Sequence, residues 1–243
     1  MGYKIVVMSC DKNEDLWLPF HLCMEKYWKN HPEIIYFTET KINPYYKTIT
    51  KNIPLSNFTG RIIEAIKDIE NKHILLLMDD IFIRDYVDNN FIRHLCSYVT
   101  GNVASLNFEK SFDPKDYTYN GDILLRNNNG KYKLSLMCQL WRKKALLRLC
   151  KKPRNPWRFE KDNDTLDYSY LITRNGSFIK WGRENGDWKF GIVQGKWARE
   201  CKDFFDKEGI IIDYSIRGFY DWNLGTWTIV CCKCSFTYVK LNI

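Results

Sequence analysis

The stretch Ile74-Leu75-Leu76-Leu77-Met78-Asp79-Asp80-Ile81-Phe82-Ile83 sets five apolar residues directly ahead of two adjacent carboxylates. So short an apolar run predicts a strand buried on both faces, as strands of parallel sheets are. In an open α/β sheet, ligands bind beyond the carboxyl ends of the strands. That is where Asp79 and Asp80 fall. Carboxylates held there cost desolvation energy unless a cation compensates them. Hard divalent ions, Mg²⁺ or Mn²⁺, take oxygen ligands and share them with substrate phosphates. The competing reading has one Asp capping the next turn and the other solvated.

Working outward, Lys4–Met8 is a strand, Ser9–Asp15 a polar loop, Leu16–Lys29 a helix by apolar spacing, and Ile34–Thr38 a second strand. Strand, helix, strand in that order predicts a parallel βαβ unit. It also brings the Ser9–Asp15 loop to the same sheet edge as Asp79 and Asp80. Lys41–Leu55 reads as an irregular connection, and Arg61–Ile69 as an amphipathic helix. Tyr86–Tyr98 reads as a helix capped by Asp85, and Asn102–Leu106 as a strand. Asn107–Lys131 is a long functional loop or a hairpin insertion. Beyond it, Lys133–Met137 is strand-like, Trp141–Cys150 helical, and a helix runs from Pro156 to about Arg174. Ser177–Trp181 and Gly191–Gln194 are strand-like, a helix follows Trp197 as far as Glu208, and Ile210–Tyr214 is a last strand. The tail, Thr226–Ile243, is a terminal hairpin or surface element. The expected fold class is α/β: one Rossmann-like domain over residues 1–243, with a mostly parallel central sheet flanked by helices.

Across the 243 residues, 45% are hydrophobic and 16% aromatic, which excludes a disordered chain. A formal charge of +8 suits anionic partners without choosing among nucleotides, nucleic acid and anionic lipid. The nine cysteines are scattered with no paired Cys-x-x-Cys knuckles, so a zinc ribbon is not expected. Cys231-Cys232-Lys233-Cys234 reads as packed thiols. The four histidines, His21, His31, His73 and His94, stand at no metal-ligand spacing. Free thiols and the absence of a signal peptide point to a reducing cytoplasm. No apolar run is long enough for a spanning helix.

Five segments, taken in order, resemble one family. They are Val6-Val7-Met8-Ser9-Cys10-Asp11-Lys12-Asn13-Glu14-Asp15-Leu16-Trp17, Leu76-Leu77-Met78-Asp79-Asp80-Ile81-Phe82, Ser135-Leu136-Met137-Cys138-Gln139-Leu140-Trp141, Pro156-Trp157-Arg158-Phe159-Glu160, and Gly195-Lys196-Trp197. Together they resemble the small bacterial GT-A-type glycosyltransferases that build capsule, O-antigen or lipooligosaccharide. The resemblance runs from Val6 to Trp197 and leaves the tail 226–243 unmatched. It implies a nucleotide-binding half over about residues 1–110 and an acceptor-side half over about 111–225. It further implies a nucleotide-diphosphate sugar donor (a UDP-sugar favoured), a divalent metal, and transfer of a sugar to a hydroxyl of a growing, lipid-linked glycan. In such enzymes the acidic motif is often Asp-x-Asp; here the two residues are adjacent.

On that resemblance Asp80 is expected to meet the metal, with Asp79 behind it or on the ribose. Ser9, Cys10 and Asp11 would flank the nucleobase and ribose, and Lys196 would reach the diphosphate. Inverting transfer needs a carboxylate base. Glu160 is the candidate, in a segment whose two aromatics, Trp157 and Phe159, can platform a sugar face and raise its pKa; Asp162 and Asp164 stand behind it. A retaining enzyme would not need that base. Gln139, Trp141 and Trp157 are candidates for the acceptor pocket. Asp113, Asp116 and Asp122 read as solvated loop residues. Lys151, Lys152 and Arg154 could hold the protein at the inner membrane through anionic lipid. Three rivals stand beside this reading. One is a nucleic-acid-binding protein, which the spread charge does not favour. Another is a nucleotidyltransferase, which usually needs a Gly-rich loop that Ser9–Asp15 lacks. The third is an inactive glycosyltransferase-like binding subunit.

Overall fold

A computed structural model describes residues 2–111, 113–127, 133–162, 166–175, 179 and 191–221, and the backbone of 230–231 and 234–235. The chain begins with β1 (Tyr3–Met8), α1 (Glu14–Tyr27) and β2 (Ile34–Thr38), followed by the short β3 (Lys47–Thr50). Next come α2 (Phe58–Ile66), β4 (His73–Met78), α3 (Asn89–Leu95) and β5 (Val103–Lys110). A hairpin of β6 (Tyr117–Asn120) and β7 (Ile123–Leu125) precedes β8 (Gln139–Arg142), α4 (Lys143–Leu149), α5 (Pro156–Lys161) and β9 (Ser169–Thr173). A small hairpin, β10 (Ile192–Val193) with β11 (Lys196–Trp197), leads into α6 (Arg199–Glu208).

The first nine strands form one sheet in the order β3-β2-β1-β4-β8-β5-β9-β7-β6. The pairings make only β8 and β7 run against the rest. This is a mixed α/β fold with a mostly parallel central sheet flanked by helices. Alternation between two covered faces explains the unbroken apolar runs Ile5–Met8 in β1 and Ile74–Met78 in β4. Ile5, Val7, Leu75 and Leu77 pack with Trp17, Phe20 and Met24 of α1 on one face. Val6, Met8, Ile74 and Leu76 pack with Ile62 and Ile66 of α2 and Leu146 of α4 on the other. The sheet is covered on both sides, so polar chemistry is left to its edges.

Several sequence expectations change. The Lys41–Leu55 connection contains β3, whose exposed termini and short length gave no strong pattern. The helix expected over Tyr86–Tyr98 begins at Asn89, capped by Asp88, whose carboxylate accepts from the Asn90 and Phe91 amides. Asn107–Lys131 supplies the end of β5 and the hairpin β6–β7, which adds to the sheet. The strand expected at Lys133–Met137 lies at Gln139–Arg142 instead, so Trp141 is a strand residue. The helix from Pro156 stops at Lys161, and Ser169–Thr173 pairs in parallel with β5. There β-branched and aromatic residues follow a helical start, and sheet pairing overrides the local pattern. Ile210–Tyr214 is not a strand but leads into a 3-10 turn at Tyr214–Ile216. Residues 177, 178, 180 and 181 lie outside the described residues, and so does most of the tail. Within the tail, Val230–Cys231 pairs antiparallel with Cys234–Ser235.

Candidate functional site

The register of β1 with β4 builds the site. Val7 pairs with Leu77 and Met8 with Met78, so the strands end level and their next residues emerge side by side. Ser9 Oγ therefore donates to Asp79 Oδ2 at 2.6 Å, and Trp17 Nε1 donates to Ser9 Oγ at 2.9 Å. Asn13 Nδ2 donates to both Asp79 oxygens, at 3.1 and 3.0 Å. Asp79 is buried, with every bond it makes directed inward from the first βα loop. Its neighbour Asp80 is only half-buried. The backbone amides of Asp80 and Ile192 favour the charged form of the Asp80 carboxyl, against its burial.

Burial, and then the adjacent Asp80 charge, push the Asp79 carboxyl up to about 7; its bonds from Ser9 and Asn13 and the Arg217 charge oppose this. Burial also raises Asp80, to about 6. Two carboxylates side by side in a poorly hydrated place repel each other and lack a full counter-charge. Such a pair fits a divalent cation. Asp80 has the exposure to touch one, whereas Asp79 is held behind it by three hydrogen bonds. Among the described residues no group of three or more His, Cys, Asp or Glu side chains is gathered around a point. The remaining ligands would then be phosphate oxygens and water, the usual arrangement for Mg²⁺-type ions.

The hairpin β10–β11 closes over this edge. Gly191 N donates to the Asp80 carbonyl at 3.1 Å, and Ala198 N to the Gly191 carbonyl at 2.9 Å. A Cβ on Gly191 would stand 2.1 Å from Phe82 Cε2, so only glycine allows this approach. The turn takes Gln194 and Gly195 through positive φ, 51° and 79°, the twist that two-residue hairpins require. Lys196 is exposed on β11.

Of the other nucleotide-side candidates, Asp11 and Cys10 share the edge with Ser9. The Asp11 carboxylate accepts from the amides of Thr40 and Lys41, at 3.0–3.1 Å, and from Thr40 Oγ1 at 2.5 Å. It pins the loop after β2 and is held below the usual carboxylate range by those bonds, although burial opposes them. Cys10 is half-buried at the start of the 3-10 turn Asp11–Asn13.

The acceptor-side candidates divide. Glu160, on α5, accepts from the Leu136 amide at 2.8 Å. The segment before β8 also meets β5: Phe108 N donates to the Cys138 carbonyl at 3.1 Å, and Ser135 Oγ to Glu109 Oε2 at 3.4 Å. Because β8 runs antiparallel to β4, this lead-in lies at the carboxyl edge of β4. Glu160 and the acid pair thus share one edge of the sheet. Burial, reinforced by Glu109, raises the Glu160 carboxyl, while the Leu136 amide and Lys161 pull it down. Trp157 is half-buried one turn earlier.

Gln139 is buried within the sheet, donating to Ser105 Oγ. Trp141, paired with Ile74 in mid-strand, has no exposed surface and packs on Phe159. The structure places both in the interior. Arg154 is likewise internal. Its guanidinium donates to the Leu149 carbonyl, lies over Phe159 and faces Asp162 at 3.7 Å, so of the three basic residues only Lys151 and Lys152 are exposed. Asp164 lies outside the described residues. Asp116 braces its own hairpin through Ser111 and Asn127, and Asp122 accepts from Asn175, just after β9.

Sequence reading passed over Asn13 and Arg217. Asn13 sits in the polar loop already singled out. Arg217 is 204 residues from Asn13, and no local pattern could have joined them.

No family model matches the chain, and no curated protein matches it. Among solved structures it is similar to TarS of S. aureus, at 11% identity and TM-score 0.46, over 72% of this chain and 35% of that one. It is also similar to UDP-glucose pyrophosphorylase complexed with UDP-glucose, at 8% identity and TM-score 0.49, over 75% of this chain and 92% of that one. The galactosyltransferase LgtC, in complex with donor and acceptor sugar analogs, matches at 13% identity and TM-score 0.38, over 60% and 59%. The chain spans about a third of the TarS chain. Likenesses this remote leave function to be argued from this chain's own residues.

Proposed function

We propose that the protein is a metal-dependent glycosyltransferase. In this reading it moves a sugar from a nucleotide-diphosphate donor, a UDP-sugar first among them, to a hydroxyl of a lipid-linked bacterial surface glycan. The observation that carries this reading is the Asp79–Asp80 pair at the carboxyl edge of β4, with one carboxylate locked by Ser9 and Asn13 and the other left to the opening. Asp80 would hold Mn²⁺ or Mg²⁺, and Asp79 would fix its position. Bound there, the cation would offset the charge that grows on the departing diphosphate. Ser9, Cys10 and Asp11 bound the nucleoside side. Lys196, on the hairpin above Asp80, supplies a point charge for phosphate.

On the acceptor side Glu160 takes the hydroxyl proton in an inverting transfer. Its half-buried position and raised pKa suit a base that must be poised closer to neutral pH. Trp157 offers an apolar face beside it. A lipid-linked acceptor implies work at the cytoplasmic face of the membrane, where the exposed Lys151 and Lys152 would meet anionic headgroups. Among the described residues, no helix is long and apolar enough to cross a membrane.

The test is thermal stability with UDP, GDP, CDP or dTDP, each with and without Mn²⁺. One nucleotide should raise the Tm only with metal, and Asp80→Ala should abolish the shift. Ligand at ~100 times its Kd adds about 2.7 kcal/mol of apparent stability, well within reach of the method. No shift with any nucleotide would remove the donor site and the proposal with it.

A further inference from the structure

Arg217 follows the 3-10 turn Tyr214–Ile216 and reaches back to the loop after β1. Its Nε and Nη2 donate to the two Asp15 oxygens at 2.7 and 2.6 Å. Nη2 also donates to the Lys12 carbonyl and to Asn13 Oδ1, both at 2.9 Å, and Nη1 reaches the Gly195 carbonyl at 3.5 Å. The ion pair is no ordinary surface bridge, because the side chains of Arg217 and Asp15 are only 9% and 14% exposed.

What matters is the contact with Asn13. A side-chain amide is a donor at one end and an acceptor at the other, and rotating it by half a turn exchanges them. Asn13 has Arg217, which can only donate, on its oxygen side, and the Asp79 carboxylate on its nitrogen side. One orientation satisfies both neighbours. Without Arg217 the amide loses one of the two partners that exclude the flipped form, and the Asp79 carboxylate alone is left to hold it.

We infer that Arg217 is a positioning residue for the acid pair: it sets the orientation of the Asn13 amide, which holds Asp79. The relay runs Arg217 to Asn13 to Asp79, with Trp17 and Ser9 bracing Asp79 from the other side. Its consequence for donor binding rests on the function proposed above, but the relay itself exists without a ligand.

The experiment therefore has a ligand-free arm and a ligand arm. In ¹⁵N-correlated spectra the Asn13 side-chain amide, assigned by its loss in Asn13→Ala, should exchange slowly with water. Arg217→Gln should speed that exchange by about tenfold or more, the scale of one lost charge-assisted hydrogen bond. Arg217→Lys, which keeps the charge but not the planar fork, should fall between. An Asn13 amide indifferent to both substitutions overturns the inference. If Arg217→Gln does not fold, Arg217→Lys alone decides.

In the ligand arm, the affinity for UDP with Mn²⁺ is compared across Arg217→Gln, Asn13→Ala and the double variant. Action through Asn13 predicts that Arg217→Gln costs nothing further once Asn13 is alanine; additive losses overturn it. If the unaltered protein binds no UDP, GDP, CDP or dTDP with Mn²⁺, the proposed function fails while the amide result still decides the relay.

Discussion

The base role proposed for Glu160 rests on the surroundings of a single carboxylate. One oxygen is tied to the Leu136 amide, which fixes its direction, and burial with Glu109 nearby raises its pKa. Replacing it with Gln keeps the shape and the hydrogen-bond acceptor while removing the base. Glu160→Gln should lower turnover by roughly 10²–10⁴-fold, the usual contribution of a positioned base, with nucleotide affinity unchanged. A steady-state assay beside a binding titration checks both halves. Normal turnover in the variant would end the assignment. The acid pair was legible at this scale, because two carboxylates after an apolar run are visible in any reading. Asn13 was not, since an Asn in a polar loop is commonplace until the tertiary structure sets Asp79 beside it.

At the scale of elements, the hairpin β10–β11 is clamped to the turn after β4 by a backbone bond from Gly191 to Asp80. The approach is so close that a methyl group at 191 overlaps the Phe82 ring, itself packed against Trp197 and Phe205. Gly191→Ala should cost about 1–3 kcal/mol, as overpacking does, and should weaken metal-dependent nucleotide binding together with stability. Calorimetry and a nucleotide titration on the same preparation test this. A variant with unchanged Tm would show that the ring can move aside. The first βαβ unit was readable because its helix and strands carry different apolar periods. The second half was not: β8 and β9 were misplaced because short strands next to helices look alike in sequence, and sheet pairing chose between them.

For the molecule as a whole, the two raised aspartates contribute a pH dependence to folding. Asp79 and Asp80 titrate near 7 and 6 in the folded chain, against the ordinary 3.8. Between those values the folded state binds more protons than the unfolded state, so stability falls as pH rises. Their stabilising contribution is complete below about pH 4 and lost as pH passes about 6 and then about 7. Metal-free protein should therefore lose Tm from pH 5 to 8, at about 2–4 °C for each kcal/mol in a chain of this size. Mn²⁺ should restore most at the alkaline end. Asp80→Asn should flatten the profile; an unchanged slope in that variant would show that other groups set it.

The sequence by itself determined that an apolar strand ends in two carboxylates, and that a strand–helix–strand unit brings a polar loop to the same edge. Those conclusions follow from local periodicity and from the direction of a parallel sheet. Only the tertiary structure decided which carboxylate is locked and which is open. That depends on the β1–β4 register, which places Ser9 against Asp79, and on an arginine some 200 residues away, which orients Asn13. It also moved Trp141, Gln139 and Arg154 inside. A side chain's hydropathy describes what it tolerates, and only its packed neighbours decide whether it meets solvent.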